Sequence, residues 1–177
     1  MTELWDLYTE DREKSGETLV RGQEIPEGRY HLVADAWIVN SKGEYLISQR
    51  SASRPTFPLM WECVGGSVLA GEDSLTGAVR EVKEEVGLEL APEQGILVFT
   101  ERRTMVNGMK FHDFKDTYLF RYDGEVPLDK ATTDEVCQVR WMTAEQVEEL
   151  LDTGKMAATL RVSFAAVKKH TEGKGTQ

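Results

Sequence analysis

The segment from Ser74 to Val86 constrains this chain most, because its apolar and acidic residues follow the helical repeat on separate faces. Apolar residues recur at the spacing of an amphipathic helix, at Leu75, Val79, Val82 and Val86. Gly87, which follows directly, is a typical C-terminal stop. The pattern therefore predicts a helix that lays one face on a core and leaves another face free.

The free face of this predicted helix is acidic. At about 100° per residue, Glu81, Glu84 and Glu85 fall together, roughly 140° from the apolar stripe. Carboxylates this close repel one another and disfavour the helix unless a cation compensates. Mg²⁺ does so well, because it prefers oxygen ligands and shares its remaining positions with water and substrate phosphates. The helix therefore predicts a divalent metal site.

The residues before the helix add to this predicted site. Gly65 and Gly66 end a short strand, permit close approach of the backbone and expose a carbonyl oxygen as a further ligand. Arg80 lies beside the acids, where it can orient a carboxylate. The charge of Glu72 suits the N-terminus of the helix.

The rest of the chain alternates strand-like and helix-like segments. An N-terminal hairpin is predicted within residues 1–29, from strands at 4–8 and 17–20. Further strands are predicted at 31–39, 44–49, 61–64, 95–105, 116–122 and 136–141, and further helices at 143–151 and 156–169. This order predicts an α/β (α+β) fold: a mixed sheet with helices on its faces, in a single domain over residues 1–170 with a disordered tail at 171–177.

Charge and hydropathy limit the partners. The formal net charge is -10, so no basic field is available for a long nucleic acid or an anionic membrane. No apolar stretch approaches the ~20 residues that span a bilayer, and the N-terminus does not resemble a signal peptide, so we expect a cytoplasmic protein. A small phosphorylated substrate stays possible, because a bound divalent cation reverses the local field. The N-terminal hairpin is a candidate element for a homodimer.

The spacing from Gly66 to Leu88 resembles the Nudix box: Gly66, five residues, Glu72, seven residues, then Arg80-Glu81-Val82-Lys83-Glu84-Glu85-Val86-Gly87-Leu88. The resemblance implies an α/β/α sandwich with a mixed β-sheet. It also implies hydrolysis of a nucleoside diphosphate derivative, or a related small organic diphosphate, with Mg²⁺ or Mn²⁺. The implied metal ligands are Glu81, Glu85, Glu84 and the carbonyl of Gly65 or Gly66. The implied catalytic group is Glu84 or Glu81, supported by Arg80 and Glu72, and which glutamate is the base stays open.

Segments outside the box resemble the branch of the family related to isopentenyl diphosphate isomerase, namely 5–8, 30–33, 49–51 and 57–61. Those isomerases carry a cysteine where this chain has Gly65 and a metal-binding histidine where it has Ser67, whereas His31 matches one of their metal ligands. Hydrolysis is therefore the leading hypothesis. The alternatives are an isomerase and a Nudix-fold ligand sensor without catalysis.

Three residues outside the box are candidates for substrate binding. Arg50 ends a strand beside the loop that precedes the box and can grip a phosphate, or it is an ordinary surface arginine. His31 and Trp61 are the others, with a structural histidine and a core tryptophan as the respective alternatives. Further candidates for a second metal ligand or a base are His112, Asp113, Asp116 and Glu135, and those for stacking on a base or covering a prenyl chain are Phe57 and Phe114.

Overall fold

A computed structural model of the protein describes residues 2–106 and 108–173. Within these residues the strands are β1 (Leu4–Tyr8), β2 (Lys14–Val20), β3 (His31–Val39), β4 (Tyr45–Arg50), β5 (Trp61–Glu62), β6 (Val64–Ser67), β7 (Ile96–Val106), β8 (Met109–Arg121) and β9 (Val136–Met142). The helices are α1 (Ser74–Val86), α2 (Ala144–Asp152) and α3 (Arg161–Glu172), with short 3-10 turns at Pro92–Gln94, Leu128–Lys130 and Ala158–Leu160.

The main sheet is mixed, as the sequence predicts. Strand β3 lies in the middle and runs parallel to β8 along its whole length, while β6 and β4 pair antiparallel with it on the other side. Strand β7 continues the sheet beyond β8, and β5 and β9 both pair with β4. The predicted N-terminal hairpin is confirmed, because β1 and β2 form a separate antiparallel pair.

The two faces of the main sheet bury two different clusters because side chains alternate along β3. Ala34 and Ala36 pack with Ala78 and Val82 of α1 on one face. On the other face Trp37 packs with residues of α2 and α3, including Val147 and Phe164. The molecule is therefore an α/β/α sandwich, with α1 on one side and α2 and α3 on the other.

The predicted ends of the strand before α1 and of the last helix are wrong. Gly65 and Gly66 do not end a strand, since both lie inside β6 and pair with β3. The predicted tail begins too early, because α3 continues to Glu172 and the Tyr45 hydroxyl lies 2.8 Å from Thr171 Oγ1. The rest of that predicted tail, from residue 174, lies outside the described residues.

Strand β8 starts seven residues before its predicted start at Asp116, because it begins at Met109 and forms a long hairpin with β7. This extension places His112 and Asp113 within the strand. The predicted hairpin turn includes Asn107, which lies outside the described residues.

Candidate active site

Helix α1 has the bounds that the sequence predicts, because local signals fix both ends. The Asp73 side chain accepts a hydrogen bond from the Thr76 backbone N–H at 2.7 Å, which caps the N-terminus. Gly87 adopts a left-handed conformation, φ 74°, and its N–H donates to the Lys83 carbonyl at 3.1 Å. With its apolar face packed on β3, the helix carries its acids beside strand β6.

The paired glycines of β6 are required for space. Neither has a positive φ, but a Cβ on Gly66 would lie 2.6 Å from Cδ of Glu81. A Cβ on Gly65 would lie 2.5 Å from the Ala34 carbonyl oxygen and 3.0 Å from Oδ1 of Asp35. Since real Cβ atoms do not approach to 2.5 or 2.6 Å, Gly66 leaves room for the Glu81 carboxylate, and Gly65 permits the close approach of the β3 backbone, with Asp35 beside it on the opposite face of the strand.

Arg80 joins three of the acidic side chains. Its guanidinium donates to Glu72 at 2.9 Å, Glu81 at 2.9 Å and Glu84 at 3.0 Å. It also donates to the Ser67 carbonyl at 2.9 Å, which ties α1 to the end of β6. The planar fork of arginine suits this role, since one group holds several carboxylates in fixed directions.

Glu85 is the least compensated acid on the helix. It is 4% exposed, and its Oε2 has no hydrogen-bond partner in the part of the chain that the structure describes. Burial, together with the negative charges of Glu81 and Glu62, raises the pKa of Glu85 well above its usual value. Burial also raises the pKa of Glu81, although the charge of Arg80 opposes this. Both carboxyls would be stabilised in the charged form by an added cation.

These donors fit a hard divalent cation in their chemistry. Over residues 2–106 and 108–173, no three acidic, histidine or cysteine side chains converge as a ready metal site. Glu81 and Glu84 are turned towards Arg80, whereas the buried Oε2 of Glu85 lacks a partner. Carboxylate and carbonyl oxygens are the ligands that Mg²⁺ prefers, and the carboxylate of Glu81 already lies against Gly66. An ion here would share Glu81 with Arg80.

A polar cavity of about 170 Å³ opens beside these acids. It is lined by Gly65, Gly66, Ser67, Glu81, Glu85, Glu135, Thr56 and three arginines, Arg21, Arg50 and Arg54. Arg50 is held by Glu62 at 2.8 Å, and Arg54 pairs with Glu135 at 2.7 Å. The cavity therefore brings together Arg21 next to the hairpin, Arg50 at the end of β4 and Arg54 in the following loop, beside the acids of α1.

Sequence reasoning missed Arg21 and Arg54. Arg54 lies four residues after Arg50 in the loop before β5, so a second cation in that loop was a usable signal. Arg21 has no such signal, since it directly follows β2 and reaches the cavity only because the hairpin packs against the main sheet. The isolated bridge between Tyr8 and Tyr30 is one of the contacts that hold it there.

The other two candidates for substrate binding are not among the residues that line this cavity. His31 is buried and stacks on Trp5, with ring centroids 4.1 Å apart. Burial, with the charges of Arg103 and Arg21, lowers the pKa of His31 to about 4. Trp61 is buried in the cluster that packs under α2 and α3.

Of the further acidic candidates, Glu135 lines the cavity and two others are engaged elsewhere. Asp113 makes a paired contact with Arg103, with both N–O distances at 2.7 Å. Asp116 lies on the α1 face of the sheet, where it accepts from Arg12, Thr100 and the Ser74 hydroxyl. These contacts give Asp113 and Asp116 structural partners within the described chain.

Together the fold and the site define an α/β/α sandwich that presents an acidic helix beside a glycine-containing strand and an arginine-lined cavity. A family model described as the NUDIX domain matches residues 29–162. An uncharacterised Nudix hydrolase of Listeria innocua is 34% identical over 154 residues, which cover 86% of this chain and 87% of that protein. The chain belongs to the Nudix hydrolase family, whose members generally use divalent metals such as Mg²⁺.

Two more distant similarities support the fold and the branch. A crystal structure of a Deinococcus radiodurans protein superimposes with a TM-score of 0.68 at 25% identity, covering 88% of this chain and 92% of that one. The isopentenyl-diphosphate Delta-isomerase of Escherichia coli is 27% identical over 126 residues, which cover 70% of this chain and 68% of that enzyme. No helix among the described residues is long and apolar enough to cross a membrane.

Proposed function

We propose that this protein is a metal-dependent pyrophosphohydrolase that cleaves the diphosphate linkage of a nucleoside diphosphate derivative or a related small organic diphosphate. The observation that carries the proposal is Glu85, which lines the same cavity as three arginines and whose buried Oε2 finds no partner among residues 2–106 and 108–173. A divalent cation compensates the acid, and the arginines receive the phosphates.

The charges of the cavity favour an anion once a cation is bound. Three arginines and three glutamates line it, so their formal charges cancel. One divalent ion makes the lining positive by two, which attracts a diphosphate despite the acidic chain as a whole. Arg50 is the arginine best placed to orient a phosphate, because Glu62 and the Thr56 carbonyl fix its guanidinium.

The acidic residues divide the chemistry between them. Glu81, Glu85 and the carbonyl of Gly65 or Gly66 would hold Mg²⁺ or Mn²⁺, with Arg80 and Glu72 keeping Glu81 in place. The metal, when bound, lowers the pKa of water and neutralises diphosphate charge. Two glutamates are candidates to accept the proton of the attacking water: Glu84, which is 40% exposed but does not line the cavity, and Glu81, which is 16% exposed and lines it.

A substrate panel with Mg²⁺ tests the proposal. It covers dinucleoside polyphosphates, nucleotide sugars, nucleoside triphosphates, coenzyme A and prenyl diphosphates, and we expect release of phosphate-containing products from one class. Glu85→Gln and Glu81→Gln should each lower turnover roughly 1,000-fold, the equivalent of about 4 kcal/mol. Glu89→Gln is the matched control, since Glu89 is 76% exposed and pairs only with Lys83.

Two other results would replace the proposal. Conversion of isopentenyl diphosphate without loss of diphosphate would identify an isomerase, the activity named for the relative that is 27% identical. Tight binding of a nucleotide that stays uncut over long incubation with Mg²⁺ would identify a ligand sensor.

A further inference from the structure

A carboxylate from outside the acidic helix lies against the glycine pair. Asp35 of β3 is the direct cross-strand partner of Gly65. Its Oδ1 lies 3.0 Å from where a Cβ on Gly65 would stand, next to the closer backbone of Ala34 and Asp35. Gly65 is one of the residues that line the cavity of the candidate active site. Asp35 therefore contacts a residue that lines the cavity, although it does not line the cavity itself.

A buried lysine holds the other oxygen of this carboxylate. Lys115 Nζ lies 3.0 Å from Oδ2 of Asp35, and the lysine side chain is 1% exposed. A second carboxylate, Glu101, lies 3.4 Å from the same Nζ. A buried ammonium needs a charged partner, so Asp35 serves as a counter-ion of Lys115, in an ion pair that lacks hydrogen-bond geometry. With Oδ2 held in the interior, Oδ1 is the oxygen at Gly65.

The glycine pair therefore lies between two carboxylates. Glu81 covers Gly66 from the α1 side, and Asp35 covers Gly65 from the opposite face of β6. Glu85 lines the same cavity, and its buried Oε2, which has no partner within the described part of the chain, is an independent sign that a cation fits there. We propose that Asp35 is a further acidic residue of the metal site, which helps to bind the divalent cation at Gly65–Gly66, directly or through water, and that Lys115 positions it.

This inference rests on the proposed function, but it makes a claim of its own. If Asp35 were only the counter-ion of Lys115, its removal would change the stability of the fold and leave metal affinity intact. If it serves the cation, metal affinity must fall even where the fold is kept. Metal binding in the absence of substrate separates these roles.

The test is a titration of the full-length protein with Mn²⁺. The concentration of free Mn²⁺ is monitored by electron paramagnetic resonance. Asp35→Asn keeps the size of the side chain and removes its charge. We expect roughly 10- to 100-fold weaker binding, the usual cost of losing a group that supports a metal site. Glu101→Gln is the matched control, because it removes the other carboxylate beside Lys115 without touching Gly65, and it should bind Mn²⁺ like the wild type.

A double variant keeps the test decisive if Asp35→Asn leaves Lys115 without its counter-ion and thereby unfolds the chain. Asp35→Asn with Lys115→Gln removes both charges together, which is far milder than leaving one buried charge alone. Wild-type Mn²⁺ affinity in folded Asp35→Asn or in the double variant would overturn the inference. If Glu81→Gln still lost affinity in that case, the proposed function would stand; if the wild type bound no Mn²⁺, both would fail.

Discussion

Two ionic clusters on opposite faces of the same sheet differ in charge balance. The helix cluster comprises Glu72, Arg80, Glu81, Glu84 and Glu85, four carboxylates around one cation. The sheet cluster comprises Asp35, Glu101, Arg103, Asp113 and Lys115, three carboxylates with two cations. A nearly balanced cluster stabilises the fold by itself, whereas a surplus of buried negative charge requires a cation from solution. We therefore expect the sheet cluster mainly to stabilise the fold and the helix cluster to bind the metal.

The largest expected effect breaks the balance of the sheet cluster. Arg103→Met leaves Asp113, 2% exposed, without its partner, and should lower the free energy of unfolding by about 3 to 5 kcal/mol. Because this cluster holds its own cations, saturating Mg²⁺ should restore little of the loss. Urea unfolding with Mg²⁺ and with EDTA measures both values, and full recovery in Mg²⁺ would erase the distinction between the clusters.

The next effect concerns His31, whose strand neighbour in β8 is Asp113. Its pKa falls from 6.5 to about 4 in the folded state, so only the unfolded chain takes up a proton between these values. The contribution of His31 to the free energy of unfolding is complete above pH 6.5. About 3 kcal/mol of it is lost as the pH falls towards 4. His31→Phe keeps the stacking on Trp5 and removes the titration.

Urea unfolding of both proteins at about pH 7.5 and about pH 4 gives the comparison. On acidification the wild type should lose about 3 kcal/mol more of its free energy of unfolding than His31→Phe loses. Equal losses in the two proteins would mean that His31 is charged in the folded state, next to Arg103.

Arg80→Met is the matched test in the helix cluster. In EDTA the variant should lose about 2 kcal/mol, because three half-buried carboxylates are left without a cation. In Mg²⁺ most of this loss should be regained, unlike the loss in Arg103→Met. Lys83→Met, which breaks an exposed pair with Glu89, is the control and should leave the free energy of unfolding nearly unchanged. If Mg²⁺ restored none of the stability that Arg80→Met loses, the helix cluster would be structural and would not bind metal.

The smallest effect has the opposite sign. The folded-state pKa of Glu85 is raised above 4.5, so the metal-free protein loses stability as the pH rises through that raised pKa. Glu85→Gln does not titrate, and at about pH 8 in EDTA it should be more stable than the wild type by about 1 kcal/mol. Thermal unfolding should also show a smaller stabilisation by Mg²⁺ in the variant. A less stable variant in EDTA would mean that the charged carboxylate already has a partner.

The sequence predicts helix α1 completely, since its stripe, its acids and its terminal Gly87 are local signals. The same local reasoning fails at Gly65 and Gly66, where adjacent glycines resemble the end of a strand. Their actual role depends on the β3 backbone at Ala34 and Asp35 and on the Glu81 carboxylate, which fill the space of the missing side chains and come from distant parts of the chain. Arg21 was missed for a similar reason, because only the packing of the hairpin brings it to the cavity.

The proposed function requires that water attacks phosphorus in a diphosphate at the cavity beside the acids of α1. Hydrolysis of the panel's best substrate in ¹⁸O-labelled water with Mg²⁺, followed by mass spectrometry of the products, tests it most directly. We predict one labelled oxygen in a phosphate-containing product, no such product in EDTA, and roughly 1,000-fold slower formation of it with Glu85→Gln. Phosphate-containing products that all lack the label, or equal turnover in EDTA, would contradict water attack on phosphorus at this site.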